Sequence, residues 1–577
     1  MKILLLSSSY NSLTQRAHVE LSERGHEVSI ELAISNETLR EGIRLFKPDL
    51  ILCPMLKFII PKDIWTEVPC IIVHPGIKGD RGSASLDWAL YEELPYWGVT
   101  AVQAADEVDS GPIWATGEFA LRKGSKSSIY RDDLANTAMK VMHLVVKRFE
   151  NGLYEPEPLD YSRRDVKGKF RPPMPQSRRT INWQFDSADD ILRKIRCSDG
   201  APGVLDTING NQYFLFGAHR EGSMVGPPGK ILAKRFGAIC RATVDGAVWI
   251  THLKKKNDLY GNYFKLPAAQ VLGDEIKDVP ESNIDLLYAG TALTYKEIWY
   301  REHNNVAYLY FEFYNGAMST DQCERLTQAF NEVRKRQDAK VIVLMGGRDY
   351  WSNGIHLNVI EAADDPADES WRNINAINSF VEALINTTNK YVLSAMHGSA
   401  GAGGVMMALG ADQVIAREGV ILNPHYKSMG GLYGSEYWTY LLPKRVGKHM
   451  AKKLTDDCLP ISAERAKQIG LLDDVIYQDE HNPSSFHDQI VRIAEKKAND
   501  KHLIRYLENK ADELAKDSRV KPLSEYRDEE LANMRINFFG EDESYHEMRR
   551  GFVHKVKPEE TPRYLATHRK EVIEKEY

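Results

Sequence analysis

Cysteine is scarce and scattered: six residues in 577, at Cys53, Cys70, Cys197, Cys240, Cys323 and Cys458. They form no Cys-x-x-Cys pair and no Cys/His group at zinc spacing, which predicts reduced core thiols, no disulfide framework and no metal. Long hydrophobic runs are also missing. Nothing approaches the ~20 apolar residues that cross a bilayer, and the opening MKILLLSSSY is too short for a secretory core, so a cytoplasmic protein with no membrane partner is expected. Neither sign of charge dominates. Lys+Arg 75 against Asp+Glu 81 leaves a net charge of −6, which argues against a nucleic-acid partner or a polybasic membrane binder. The chain shows no internal repeat and no long low-complexity tract. What it has is 43% hydrophobic and 27% charged residues, the balance of ordinary folded domains. The length is a prior for three or four domains of about 100–200 residues each, and the chemistry expected is that of small molecules.

The chain divides by pattern. Over 1–150, apolar runs (KILLLS, HEVSIELA, 50–54, 69–74) alternate with amphipathic stretches, the order of a doubly wound parallel sheet whose ligands sit beyond the carboxyl ends of its strands. Residues 151–175 turn to Pro, Arg, Lys and Tyr without periodicity and are expected to be a linker or a strapped-down connection. A helix over SADDILRKIRCS and hairpin signals at Asn209-Gly210 and Asp245-Gly246 predict a small, mainly β, barrel-like domain over 176–290. The β/α alternation returns over 300–490 as a second α/β domain. The charged tail, 491–577, carries Leu503, Tyr506 and Leu507 at helical spacing, as a packing arm or a subunit contact would.

His74 ends a predicted strand, and Asp109 sits in an Asp-Ser-Gly-Pro turn about 35 residues on. A His there is a proton carrier or oxyanion donor whose tautomer a carboxylate can fix; the plain alternative is a capped loop with a satisfied His. His74-Pro75, Arg81-Gly82 and Asp109-Ser110-Gly111, with ILRKIR and Pro202-Gly203 further on, resemble the 10-formyltetrahydrofolate-dependent formyltransferases over about residues 1–230. The resemblance implies that His74 polarises a formyl oxygen, that Asp109 handles the proton of the acceptor, and that Arg81 and Gly82 border the folate. Gln15, Cys53 and Arg131 are further candidates for that pocket, against burial or surface pairing. One departure stands out: the family's Asn two residues before the His is Ile72 here. A missing oxyanion donor typically costs about 100–1000-fold where it is used, so either another group compensates or the acceptor is not the usual amine.

Farther along, a Ser-Asn-Gly turn (352–354) follows one strand, and Gly401-Ala402-Gly403-Gly404 opens a helix after the next. Glycines there let a thioester approach the backbone, and two N–H groups facing one carbonyl make an oxyanion hole. With Val306–Asn315, Ala411-Asp412, ISAERAKQIGLLDDVI and FFGEDESYHEMRRGFVHK, these pieces resemble the crotonase (enoyl-CoA hydratase/isomerase) family over about 300–490. The resemblance implies coenzyme A as ligand, oxyanion-hole N–H groups from Ile355 and Gly403, with Asn353, Gly354 and Gly404 beside them, and self-association into a homo-oligomer. The paired Glu residues of hydratases are Met406 and His425 here, so enoyl-CoA hydration is not expected. His425, Glu436 and Tyr440 are the candidates for a different acid/base set, against core packing and a solvated glutamate.

A formyltransferase and a crotonase-like domain in one chain resemble a family of hydrogenase maturation proteins. What that implies is carbon monoxide made from the formyl group of 10-formyltetrahydrofolate: coenzyme A as formyl acceptor, then loss of carbon monoxide from formyl-CoA, with other hydrogenase maturation proteins as partners. Three alternatives stay open: formylation of an amine beside an independent acyl-CoA site, formylation of a charged tRNA, and a folate- and CoA-binding scaffold without turnover.

Overall fold

The computed structural model describes residues 1–258, 261–477 and 485–569. The chain forms two units: Met1–Gly261 with Pro267–Pro280 and Lys557–Tyr577, and Asn262–Leu266 with Glu281–Val556.

In the first unit, strands β1 (Lys2–Ser7), β2 (Glu27–Leu32), β3 (Leu50–Cys53), β4 (Cys70–His74), β5 (Tyr96–Gln103) and β6 (Ile113–Ala120) make one sheet in the order β2-β1-β3-β4-β5-β6. Pairing is parallel through β4 and antiparallel at β4–β5 and β5–β6. The parallel expectation thus holds for four strands. Residues 104–112, between β5 and β6, are too few for the crossover that parallel neighbours need. Leu50, Ile51, Leu52 and Cys53 are fully buried, as a strand covered on both faces must be. Because β1 lies between β2 and β3, the crevice beyond their carboxyl ends is the topological switch point. Helix α1 (Ser12–Glu23) starts there, capped by the Asn11 side chain, which accepts from the Thr14 N–H.

Residues 151–175 are strapped onto this sheet's loops. Arg81 N–H donates to the Lys169 carbonyl and Arg171 N–H to the Arg81 carbonyl, while Ile113 and Glu157 bond each other. Helix α2 (Ala188–Ser198) begins in a capping box between Ser187 and Asp190, a device contributing about 1 kcal/mol. It packs on an antiparallel sheet of β7 (Val204–Ile208), β8 (Asn211–Glu221), β9 (Ile231–Arg235), β10 (Ala238–Thr243) and β11 (Gly246–Lys255), in the order β7-β8-β11-β10-β9. The β7–β8 turn is Asn209-Gly210, both left-handed, as expected. The β10–β11 turn is Val244-Asp245, one residue earlier than the Asp245-Gly246 signal, because Thr243 pairs with Gly246.

The second unit holds β12 (Ile298–His303), β13 (Val306–Phe311), β14 (Val341–Met345), β16 (Tyr391–Met396), β18 (Gln413–Arg417) and β21 (Asp474–Ile476) side by side in that order. All pair in parallel except β12 with β13. A smaller sheet, β15 (Tyr350–Ser352), β17 (Ser399–Gly401), β19 (Ile421–Asn423) and β20 (Ile461–Ser462), carries the turns that matter. Helices α3 (Pro366–Ile385), α4 (Gly403–Leu409), α5 (Trp438–Asp457) and α6 (Leu523–Phe539) surround it. The tail divides. Leu503 is buried among Val306, Tyr391 and Ile415 of the second unit, a packing arm, whereas Thr561, His568 and Arg569 bond the buried Glu31 of β2 in the first. Among the described residues no helix is long and apolar enough to cross a membrane, and no group of three His, Cys, Asp or Glu side chains is arranged for a metal ion.

Two candidate active sites

At the end of β4, His74 is buried between two carboxylates. Its Nε2 lies 2.9 Å from Asp80 Oδ2 and its Nδ1 3.3 Å from Asp109 Oδ2. Ser85 Oγ is 3.2 Å from the same Nε2 and donates to the Gly82 carbonyl. Asp109 occupies a left-handed turn (φ 56°) and also accepts from Gly82 N–H at 3.2 Å. Arg81 staples that turn, donating to the Val108 carbonyl and the Glu107 carboxylate. His74, Arg81, Gly82 and Asp109 are therefore brought together. Gly82 is required: at φ 112° its Cα faces the Arg171 carbonyl where a side chain would collide.

Two participants were not legible in the sequence. Asp80 follows His74 by six residues in an aperiodic loop, and its side chain is fully buried, with Gly76 leaving room: a Cβ there would lie 2.5 Å from both Asp80 Oδ2 and His74 Nε2. Arg171 comes from the strap, its Nε 3.4 Å from Asp80 Oδ1 and its other arm on Glu92. Both ring nitrogens of His74 thus face carboxylates, and of the two Asp109 is the one on a left-handed turn.

The remaining first-site candidates fall apart. Gln15 is on α1 and donates to the Tyr10 carbonyl; Arg131 lies in one π-helical turn (Tyr130–Leu134) whose Tyr130 hydroxyl accepts from Asn11 at 3.0 Å. Both border the loop after β1. Cys53 is a correction: it is fully buried in the core with Leu4, Ile51 and Cys70, its thiol pushed far up by burial, so it is a packing residue and no ligand contact. Ile72, in the place of the family's Asn, pairs with Val102 of β5 and packs on that same core.

In the second unit, β15 and β17 run parallel and end in two turns held against each other. Trp351 Nε1 donates to the Gly404 carbonyl (3.0 Å), Gly404 lies flat against the Ser352 carbonyl, and Asn353 Nδ2 donates to the Asn315 carbonyl. A Cβ built on the left-handed Gly354 would be 3.6 Å from the Gly403 nitrogen. Among the described residues neither Ile355 N–H nor Gly403 N–H meets a protein acceptor. Two converging backbone donors without partners fit a thioester carbonyl, and the residues present suit that ligand.

Glu436 is the acid beside them. It is 1% exposed, left-handed (φ 60°), and its carboxyl fills the space in front of Gly403. Burial pushes it up to about 8, with the nearby Glu530 carboxylate adding to the effect. The Tyr426 hydroxyl lies 2.8 Å from Glu436 Oε2 and 3.0 Å from the Ser435 carbonyl. One phenol hydrogen cannot serve both acceptors, and a protonated Glu436 resolves the conflict by donating to the phenol oxygen. His425 is buried, pushed down to about 4 by burial, with Nε2 unpartnered and Nδ1 3.3 Å from Ser428 Oγ. It is a neutral imidazole two residues past β19. Met406 is fully buried core. Tyr440 departs from the expectation: its hydroxyl is held by Asp517 (2.8 Å) and Lys444 (3.1 Å) and its ring by Tyr526, so it is committed to the tail helices.

Comparison with known proteins agrees with this geometry. The formyl transferase family model matches residues 31–146, the formyl transferase C-terminal domain 173–264, and the enoyl-CoA hydratase/isomerase family 301–561. The hydrogenase maturation factor HoxX of Bradyrhizobium diazoefficiens is 47% identical over 569 residues, covering 99% of this chain and 97% of that one. The chain belongs to the HoxX/HypX family of hydrogenase maturation factors. A crystal structure of HypX from Aquifex aeolicus in complex with tetrahydrofolic acid superposes with a TM-score of 0.94 at 42% identity, over 99% of each chain. By contrast, the methionyl-tRNA formyltransferase of Pelobacter propionicus is 25% identical over 217 residues, 37% of this chain and 66% of that one. The HypX fold, formyltransferase-like at its start and crotonase-like afterwards, thus spans the whole chain.

Proposed function

We propose that this protein transfers the formyl group of 10-formyltetrahydrofolate to the thiol of coenzyme A and releases carbon monoxide from the resulting formyl-CoA, as a supplier of that ligand in hydrogenase maturation. Both compounds are treated as substrates. The observation that carries the reading is the buried Glu436 carboxyl lying in front of Gly403, whose N–H meets no protein acceptor among the described residues.

In the first reaction the bond from the folate nitrogen to the formyl carbon breaks, a carbon–sulfur bond forms, and the thiol proton ends on the folate nitrogen. Asp109 takes that proton from the thiol while His74 donates to the formyl oxygen. A thiolate acceptor makes lighter demands than an amine, which suits a site where Ile72 supplies no donor. In the second, Ile355 and Gly403 N–H hold the formyl oxygen. The carbon–sulfur bond breaks as the Glu436 carboxyl gives its proton to sulfur, and the formyl proton returns to that carboxyl. The products are carbon monoxide and coenzyme A, without net oxidation or reduction. His425, neutral and unpartnered at Nε2, lines this pocket. Gln15 and Arg131 are assigned to the folate side of the first site, and Asn353, Gly354 and Gly404 to the thioester backbone cradle.

Separate assays of the two steps test the scheme. His74→Ala is expected to abolish formyl-CoA formation while added formyl-CoA still yields carbon monoxide. Glu436→Gln is expected to do the reverse. Equal loss of both steps in either variant contradicts two sites with divided roles.

A further inference from the structure

The segment that presents Glu436 is irregular and costly. Glu436 and Tyr437 are consecutive left-handed residues, both at φ 60°, a state that disfavours non-glycine residues and persists only where the surroundings over-determine it. Gly434, at φ 94°, lies flat against the Tyr426 ring, so the turn cannot relax in that direction. What holds it comes from two helices. From α3, the buried Asn378 Oδ1 accepts from Glu436 N–H at 2.7 Å and from Ser435 Oγ at 2.9 Å. From α6, three side chains on one face at i, i+4 and i+7 take four more of the segment's backbone donors. Asn537 Oδ1 accepts from Tyr433 N–H (3.0 Å), Met534 Sδ from Gly434 N–H (3.2 Å), and Glu530 from both Tyr437 N–H (2.9 Å) and Thr439 N–H (2.8 Å).

Glu530 is the anchor of that face. It is fully buried and 93 residues from Tyr437, and it also binds the Thr439 hydroxyl at 2.5 Å. It caps the start of α5, whose first residue follows Tyr437. A carboxylate accepting several N–H groups is ordinarily stabilised as the anion; here burial outweighs those bonds and pushes it up to about 7. The groups facing Glu436 are the Tyr426 phenol, the buried Cys323 thiol and Glu530; those facing Glu530 are Glu436, Tyr433, Tyr426, Ser435 and Thr439.

We propose that Glu530, on the tail helix α6, is a positioning residue for the second site: it holds the strained 433–439 segment so that the Glu436 carboxyl faces Gly403. This rests on the proposed role of Glu436 for its kinetic consequence, though not for its structural one.

The test compares full-length wild type, Glu530→Gln, Glu530→Ala and Glu436→Gln. The Glu436 carboxyl is followed by its infrared band, identified by loss in Glu436→Gln, and formyl-CoA is supplied directly for kinetics. Glu530→Gln keeps an acceptor and loses the charge, so the band is expected to titrate at lower pH with kcat reduced modestly. Glu530→Ala leaves buried N–H groups unpaired, and a fall in kcat on the order of tenfold to hundredfold is expected with KM little changed. An unmoved carboxyl titration in Glu530→Gln together with wild-type kcat in Glu530→Ala overturns the proposal. If Glu530→Ala does not fold, Glu530→Gln decides: a Glu436 band and a kcat both unmoved overturn the proposal. If wild type releases no carbon monoxide but the band still shifts, the reaction assigned to the site fails while the positioning role stands.

Discussion

The carboxyl of Glu436 occupies the space that a side chain on Gly403 would need. The proposed acid and the proposed oxyanion donor are thereby fixed against each other by backbone geometry, and a residue larger than glycine cannot enter without displacing the Glu436 carboxyl. Gly403→Ala is therefore expected to lower carbon monoxide release from formyl-CoA by about 100-fold, the usual effect of spoiling one oxyanion donor, with formyl transfer retained. A coupled assay of the two steps reads both.

The pH dependence of the second step follows from the Glu436 proton. Its pKa lies at about 8 in the fold, raised by burial and then by Glu530. In the proposed reaction the acid form is the competent one, and it is present below that value. Carbon monoxide release from supplied formyl-CoA is expected to be flat near neutrality and to fall as pH rises through about 8. A rate that instead rises across this range assigns the work to the carboxylate.

Around His74, the two carboxylates are expected to differ in kind. Asp109→Asn removes a proton acceptor, and single-turnover formyl transfer should fall about 100- to 10,000-fold. Asp80→Asn leaves His74 its neighbour but removes the buried one of the two carboxylates that Arg171 faces, leaving it Glu92 alone, and a smaller loss of about tenfold is expected, accompanied by reduced stability in urea. Equal effects of the two substitutions would remove the distinction.

Stability should also depend on pH from both sides. Glu436 and Glu530 have folded values, about 8 and about 7, above those of the unfolded chain. Their contribution is full below about 4.5 and is lost as pH rises toward 8. His18, His356 and His425 are pushed down to about 4 by burial. Theirs is present above about 6.5 and lost as pH falls toward 4. Urea unfolding across this range is expected to lose part of its high-pH slope in Glu436→Gln and in Glu530→Gln and to keep its low-pH slope.

Much of this arrangement was legible in the sequence, for identifiable reasons. Buried parallel strands leave apolar runs, the left-handed Asn209-Gly210 pair marks a tight hairpin, and glycines at 82, 354 and 404 mark places where backbone approaches backbone. His74 and Asp109 stood out because one ends a strand and the other sits in an Asp-Ser-Gly-Pro turn. Asp80 and Arg171 did not, since a loop carboxylate and a cation in a basic linker look like solvated charge until the strap folds over. Glu530 was hidden in a charged tail, where nothing local separates a buried acceptor from the surface residues around it. The misplacements have the same origin: Cys53 and Tyr440 sit near the right segments, but one faces a core and the other a tail helix, and facing is settled only by packing.

The most direct test supplies 10-formyltetrahydrofolate carrying an isotopic label in its formyl carbon, with and without coenzyme A, and detects carbon monoxide by its binding to haem. Labelled carbon monoxide that requires coenzyme A is the result expected. Folate consumption with the label in an N-formyl amine, or no consumption at all, would contradict the account.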